Sequence, residues 1–170
     1  MPDGAARHTL WRAFVPRWAH LPLSGEGAAR FGGRWNPVGA PTIYAAFELS
    51  TAWAEYNQSF VQHPALIAQL ELTGARLADL TEHDSLARFG ASPDIHRCEW
   101  RDMVDRGLVP PTYELRERLL ADGWHGVIYP SWMSPGGTCA ALWRWNGEGA
   151  PRLEIIDPDH RLPKTPASWL

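Results

Sequence analysis

The apolar residues of this chain come in short runs, and that constrains its fold more than any other feature. "TLWRAFVP" (9–16), "PTIYAA" (41–46), "ALIAQLELT" (65–73), "GVIYPS" (126–131), "TCAALWRWN" (138–146) and "RLEIIDP" (152–158) are of strand length, set between Pro, Gly or polar residues. Within 65–73, Leu66, Ala68, Leu70 and Leu72 share one side of an extended chain, the period-two pattern of a half-buried strand. Two segments read as helices instead. "LSTAWAEYNQSF" (49–60) places Ala52, Tyr56 and Phe60 on one face, with Ser50 or Thr51 as its N-cap. "PTYELRERLLADG" (111–123) begins with Pro111, carries Leu115, Leu119 and Leu120 on one face, and stops at Gly123.

Residues 81–107 are polar and read as partly helical. Six strands and two or three helices in mixed order predict an α+β domain with a mixed, largely antiparallel β core and flanking helices. In it, 138–146 is expected to pair with 152–158 across "GEGAP". The 170 residues suffice for one domain with its own core. That core is expected to span about 9–157, with the Pro-containing 158–170 as a surface arm.

Charge and cysteine content exclude several classes. A net charge of −3 leaves no basic footprint, so direct nucleic-acid binding is not expected and an anionic ligand must be met by a few local arginines. Cys98 and Cys139 show no metal-like spacing and read as reduced thiols. The N-terminal residues lack an apolar signal core, and no run approaches the roughly 18 apolar residues of a membrane span. A cytoplasmic protein without membrane contact is the expectation.

Most isolated motifs fall to ordinary readings. The seven His are scattered without ligand spacing, so no metal site is expected. Cys98, between Arg97 and Glu99, has little around it to stabilise a thiolate. Ser131 ends a strand but is not in a G-x-S-x-G elbow. "GEGAAR" (25–30) starts like a dinucleotide fingerprint, then places Arg30 where the third glycine belongs. Ten Trp suggest sugar stacking, but Trp11, Trp53, Trp143 and Trp145 read as core or sheet residues. Trp35 differs, because it lies in a Gly-rich loop between Arg34 and Asn36.

That loop, 17–40, is too long for a simple connector, and loops of such length are often functional. Gly32-Gly33 permits close backbone approach, and Arg34 offers a planar fork suited to phosphate oxygens. Arg12 on the first strand is a second candidate cation. Tyr44 ends the next strand, and Glu55 lies on the following helix near the small residues Thr51 and Ala52. Residue types alone leave two readings open: a pocket, or a turn at "NPVG" with an Arg34–Glu55 salt bridge and a buried Tyr.

The run "PLSGEGAARFGGRWNPVGAPTIYAAFELSTAWAE" (22–55) closely resembles the signature of the RES domain family. "LWRAF" (10–14) resembles the family's opening arginine strand, and "GWHGVIYPSWMSPGGTCAALW" (123–143) its serine-bearing segment. The resemblance spans roughly 9–157 and implies a fold similar to ADP-ribosyltransferase toxins, with a cleft for NAD+. It implies a toxin that cleaves the nicotinamide–ribose bond, passing ADP-ribose to inorganic phosphate, water or a protein acceptor. NAD+ is then a substrate, with no permanently bound cofactor, and an Xre-type antitoxin is the implied partner. The family's arginine, glutamate and serine fall on Arg34, Glu55 and Ser131, its strand-end tyrosine on Tyr44, and its first-strand arginine on Arg12. On this resemblance Glu55, Arg34 and Tyr44 are the catalytic candidates. Arg12, Arg34, Tyr44 and Ser131 are the candidates for binding NAD+. Residues 81–110 carry no family landmark.

Overall fold

A computed structural model describes residues 6–58 and 61–169. Its elements run β1 (Arg7–Phe14), α1 (Glu26–Phe31), β2 (Ile43–Ala46), α2 (Leu49–Asn57), β3 (Leu66–Thr73) and β4 (Leu77–Asp79). They continue with α3 (His83–Arg88), α4 (Trp100–Asp105), α5 (Pro111–Ala121), β5 (Gly126–Pro130), β6 (Thr138–Leu142) and β7 (Arg152–Ile155). Single 3-10 turns occupy Pro16–Trp18, Pro93–Arg97 and Pro166–Trp169.

The strands form one sheet in the order β4-β5-β6-β2-β1-β3-β7. Every neighbouring pair is antiparallel except β4–β5, so the sheet is mixed and mostly antiparallel, as the short alternating runs predict. Both faces are covered. On one, Leu10, Ile43, Leu70, Leu72, Ala140, Leu142 and Leu153 pack with Leu23 and Trp145. On the other, Ala78, Val127 and Ala141 pack under Leu115 and Leu119 of α5, with Trp35 and Trp143 wedged between. Each leucine buried this fully contributes about 1.5–3 kcal/mol. Helix α2 lies on the same face as α5, over Ala46 and Cys139. The Pro166–Trp169 turn packs beside the Pro16–Trp18 turn.

Several expectations need correction. Strand β6 does not pair with β7: it pairs with β2 and β5, while β7 pairs with β3 at the opposite edge. The β6–β7 connection is therefore a crossover, and Trp143 leaves the ladder to enter the α5-side core. The loop 17–40 contains α1, whose Ala28-Ala29-Arg30 favours helix and whose C-cap Gly32 takes φ 72°, a left-handed value open to glycine. Helix α2 is capped from Glu48, not Ser50 or Thr51, and ends at Asn57, with Phe60 of the expected face outside the described residues. The three-residue β4 was too short to announce itself by pattern. Helix α5 and the partly helical 81–107 are as expected.

Candidate active site

The site lies on the α2 side of the sheet. A cavity of about 250 Å³ is lined by Trp11 and Ala13 of β1, Tyr44 to Ala46 of β2 and Ala52, Glu55, Tyr56 and Gln58 from α2 and its C-cap. Tyr129 of β5 and Cys139 of β6 complete it. Alanines at 13, 45, 46 and 52 leave the space open, and the aromatic rings wall it. Glu55 is its acidic group.

The chain after β5 is folded around Glu55. Its Oε1 accepts from Ser131 Oγ at 2.6 Å, and from the backbone N–H groups of Trp132 at 3.2 Å and Met133 at 3.4 Å. Cys139 Sγ lies 3.8 Å from the same oxygen. Ser131 Oγ in turn accepts from Ser134 N–H at 2.9 Å, closing the turn. Consecutive N–H groups converging on one oxygen form a small nest around it. Oε2 has no hydrogen bond among the described residues. The loop is also clipped to the start of α2: Glu48 Oε2 accepts from Thr51 Oγ1 at 3.0 Å and from Thr138 N–H at 3.3 Å.

Tyr44 has two ends with different tasks. Its ring lines the cavity, while its hydroxyl accepts from Trp35 N–H at 2.9 Å and donates to Asn36 Oδ1 at 2.7 Å. These bonds hold the tight Gly33–Asn36 turn whose corners are Arg34 and Trp35. A side chain at Gly33 would put its Cβ 2.5 Å from Tyr44 Oη and 2.7 Å from Asn36 Oδ1. Tyr113 Oη of α5 donates to Gly33 O at 3.0 Å from the other side. Burial raises the Tyr44 phenol, and burial pushes the Tyr129 phenol well up, so neither is a proton donor of ordinary tyrosine strength. Trp35 is fully buried beneath this turn, where its carbonyl accepts from Trp143 Nε1 at 3.0 Å.

Arg34 does not pair with Glu55. Its Nη1 donates to the carbonyls of His96 at 2.8 Å and Cys98 at 3.2 Å, within the region that carried no landmark in the sequence. Its charge acts on both Tyr44 and Tyr129, which line the cavity, while Arg34 itself is not part of the lining. Nη2 and Nε make no hydrogen bond among the described residues.

Arg12 is separated from the other four. The pairing of Trp11 with Ala46 puts Trp11, not Arg12, on the cavity face of β1. The Arg12 guanidinium donates to Pro22 O at 2.7 Å and Ser24 O at 2.9 Å, and stacks over Phe14. Burial lowers it to about 10, still protonated at neutral pH. Arg12 thus ties down the 22–24 loop, and neither it nor Arg34 is among the residues that line the cavity.

Sequence reasoning missed Trp11, Tyr56, Gln58, Tyr129 and Cys139. Only Tyr129 had a usable signal, since it lies two residues before Ser131 and so shares its face of the strand. Burial foremost, and Glu55 next, push the Cys139 thiol up to about 12, so this buried residue is no thiolate nucleophile. Cys98 and Cys139 are both free thiols. Among the described residues, no group of three or more His, Cys, Asp or Glu is placed to hold a metal ion. Nor is any helix there long and apolar enough to cross a membrane.

This chain superposes on a chain from the crystal structure of the M. tuberculosis MbcT–MbcA toxin–antitoxin complex with a TM-score of 0.65, covering 90% of this chain and 83% of that one at 21% identity. It shares that fold. The model of the RES domain family matches residues 9–165, and the chain belongs to that family. No curated protein sequence matches it.

Proposed function

We propose that this protein is the toxin of a toxin–antitoxin pair and that it breaks the nicotinamide–ribose bond of NAD+. The observation that carries the reading is Glu55: one oxygen is held by Ser131 and two backbone N–H groups, and the residue lines a cavity walled by Trp11, Tyr44 and Tyr129. At about 250 Å³ the cavity falls below the roughly 300–1,000 Å³ of drug-sized ligand pockets. It has room for the nicotinamide and its ribose, with the phosphates reaching outward to Arg34.

Chemistry of this kind suits the residues. As the C1′–N bond breaks, its electron pair passes to the pyridinium nitrogen and nicotinamide leaves neutral, so no general acid is required. Positive charge develops on the ribose as an oxocarbenium ion, as in glycoside cleavage. Glu55 Oε2, with Oε1 already oriented, stabilises that charge and accepts the proton of the incoming nucleophile. One preorganised charge of this sort is worth about 3–4 kcal/mol of barrier. The aromatic walls stack on the flat ring and exclude water. Ser131 serves here as the orienter of Glu55 rather than as a direct ligand.

The acceptor of ADP-ribose is inorganic phosphate, water or a protein nucleophile, and one experiment separates them. The protein is incubated with NAD+, with and without phosphate, and products are followed by mass spectrometry. Release of nicotinamide supports the reading. Phosphate-dependent ADP-ribose 1″-phosphate then identifies phosphorolysis, free ADP-ribose hydrolysis, and label on a protein band transfer. No nicotinamide under any condition sinks the reading. Kinship with a chain of a toxin–antitoxin complex supports an antitoxin partner, which we propose is of the Xre type. Its co-expression is expected to relieve growth arrest.

A further inference from the structure

We infer that His96 is a positioning residue for Arg34, acting through its own backbone carbonyl. The inference rests on the reading of Arg34 as the group that meets the substrate phosphates. Arg34 is oriented by the His96 and Cys98 carbonyls rather than by a carboxylate. Carbonyl acceptors fix the direction of the guanidinium without neutralising it, so its full charge and its Nη2–Nε edge stay available to an anion.

Those carbonyls belong to the single 3-10 turn Pro93–Arg97 and the residue after it, outside any sheet ladder. Ile95, 6% exposed, buries the turn against the α5-side core, but an apolar contact leaves rotation about the chain direction unspecified. The directional bond comes from the His96 ring. Nε2 lies 2.8 Å from Leu80 O, and since a carbonyl only accepts, the ring proton is on Nε2. Leu80 is fixed in turn by its N–H to Ile128 O at 2.8 Å, next to the cavity residue Tyr129. A chain of hydrogen bonds therefore runs from β5 through Leu80 and His96 to Arg34. The remaining ring nitrogen, Nδ1, is buried without a partner among the described residues, so no competing bond orients the ring.

Three substitutions test this. His96→Phe removes the donor. His96→Gln places an amide N–H near the position of Nε2, whereas His96→Asn is one methylene too short to reach Leu80. NAD+ turnover, calorimetric affinity for ADP-ribose and the thermal midpoint are measured for each. We expect His96→Phe and His96→Asn to raise KM for NAD+ and Kd for ADP-ribose by about tenfold, the loss from a misdirected charged hydrogen bond, with kcat within about twofold. His96→Gln should restore both affinities to within about twofold of wild type. Equal behaviour of the Asn and Gln variants, or a lowered midpoint with unchanged affinities, would overturn the inference. So would a wild-type protein that does not bind ADP-ribose. Wild-type protein that binds ADP-ribose but leaves NAD+ intact would sink the cleavage reading alone and leave this one standing.

Discussion

Ser131 Oγ donates a 2.6 Å hydrogen bond to Glu55 Oε1 across 76 residues of chain, and the two side chains act as one unit. The serine closes the turn after β5 and holds one carboxylate oxygen, while the second has no hydrogen bond among the described residues. Removing the charge and removing that hold should therefore differ in degree. Glu55→Gln is expected to lower kcat for NAD+ loss by 10²- to 10³-fold, on the order of one preorganised transition-state charge. Ser131→Ala, which leaves the backbone donors in place, should cost roughly tenfold. Nicotinamide release by chromatography, with circular dichroism to confirm folding, checks both; wild-type turnover by the Gln variant would refute the assignment.

Gly33 is required because the Tyr44 hydroxyl occupies the space a side chain would need. Gly33→Ala is expected to cost about 1–3 kcal/mol of stability, the usual penalty of overpacking. It should also displace Arg34, raising KM for NAD+. Gly27→Ala is the control, since its Cβ would meet nothing within 4 Å. Urea unfolding midpoints of the two variants give the comparison.

The contacts of Arg12 with the 22–24 loop lead us to expect that its replacement shows as lost stability rather than lost affinity. Arg12→Met leaves the Pro22 and Ser24 carbonyls without their donors. We expect a loss of about 1–3 kcal/mol, as for partly buried acceptors left unpaired, with affinity for ADP-ribose within about twofold. A tenfold weaker affinity at unchanged stability would restore Arg12 to the binding site.

His96 gives the fold a dependence on pH. Burial, and then the charge of Arg34, lower its folded-state pKa below the ordinary 6.5. The unfolded chain therefore takes up the proton first as pH falls. Stability from the neutral ring is complete above pH 6.5 and declines as pH drops from there toward the folded-state value. Thermal midpoints recorded from pH 5 to 8 should fall on the acid side more steeply for wild type than for His96→Gln. Parallel curves would show that His96 contributes nothing to the acid limb.

Alternation in 65–73, the Pro111 and Gly123 boundaries of α5 and the turn residues between short apolar runs are local signals, and they brought out the α+β class and most elements. Arg34, Tyr44, Glu55 and Ser131 stood out because their spacing matches a long ordered signature. Arg12 matched it equally well, yet it lies outside the cavity lining. Which face of β1 looks into the cavity depends on its register against β2, and no pattern within β1 carries that.

The chain's own residue order thus determined its element types, the covered mixed sheet and a loop built to hold an arginine beside a strand-end tyrosine. Those properties follow from short-range forces: strand periodicity, helix caps and the conformational freedom of Gly32 and Gly33. Only the tertiary structure decided that β7 crosses to the far edge, that Ser131 serves Glu55, and that the carbonyls of His96 and Cys98 orient Arg34. Each of these joins groups more than 60 residues apart, or strands at opposite sides of the sheet. Such contacts are selected by the summed packing of both faces, a property that no local stretch of sequence contains.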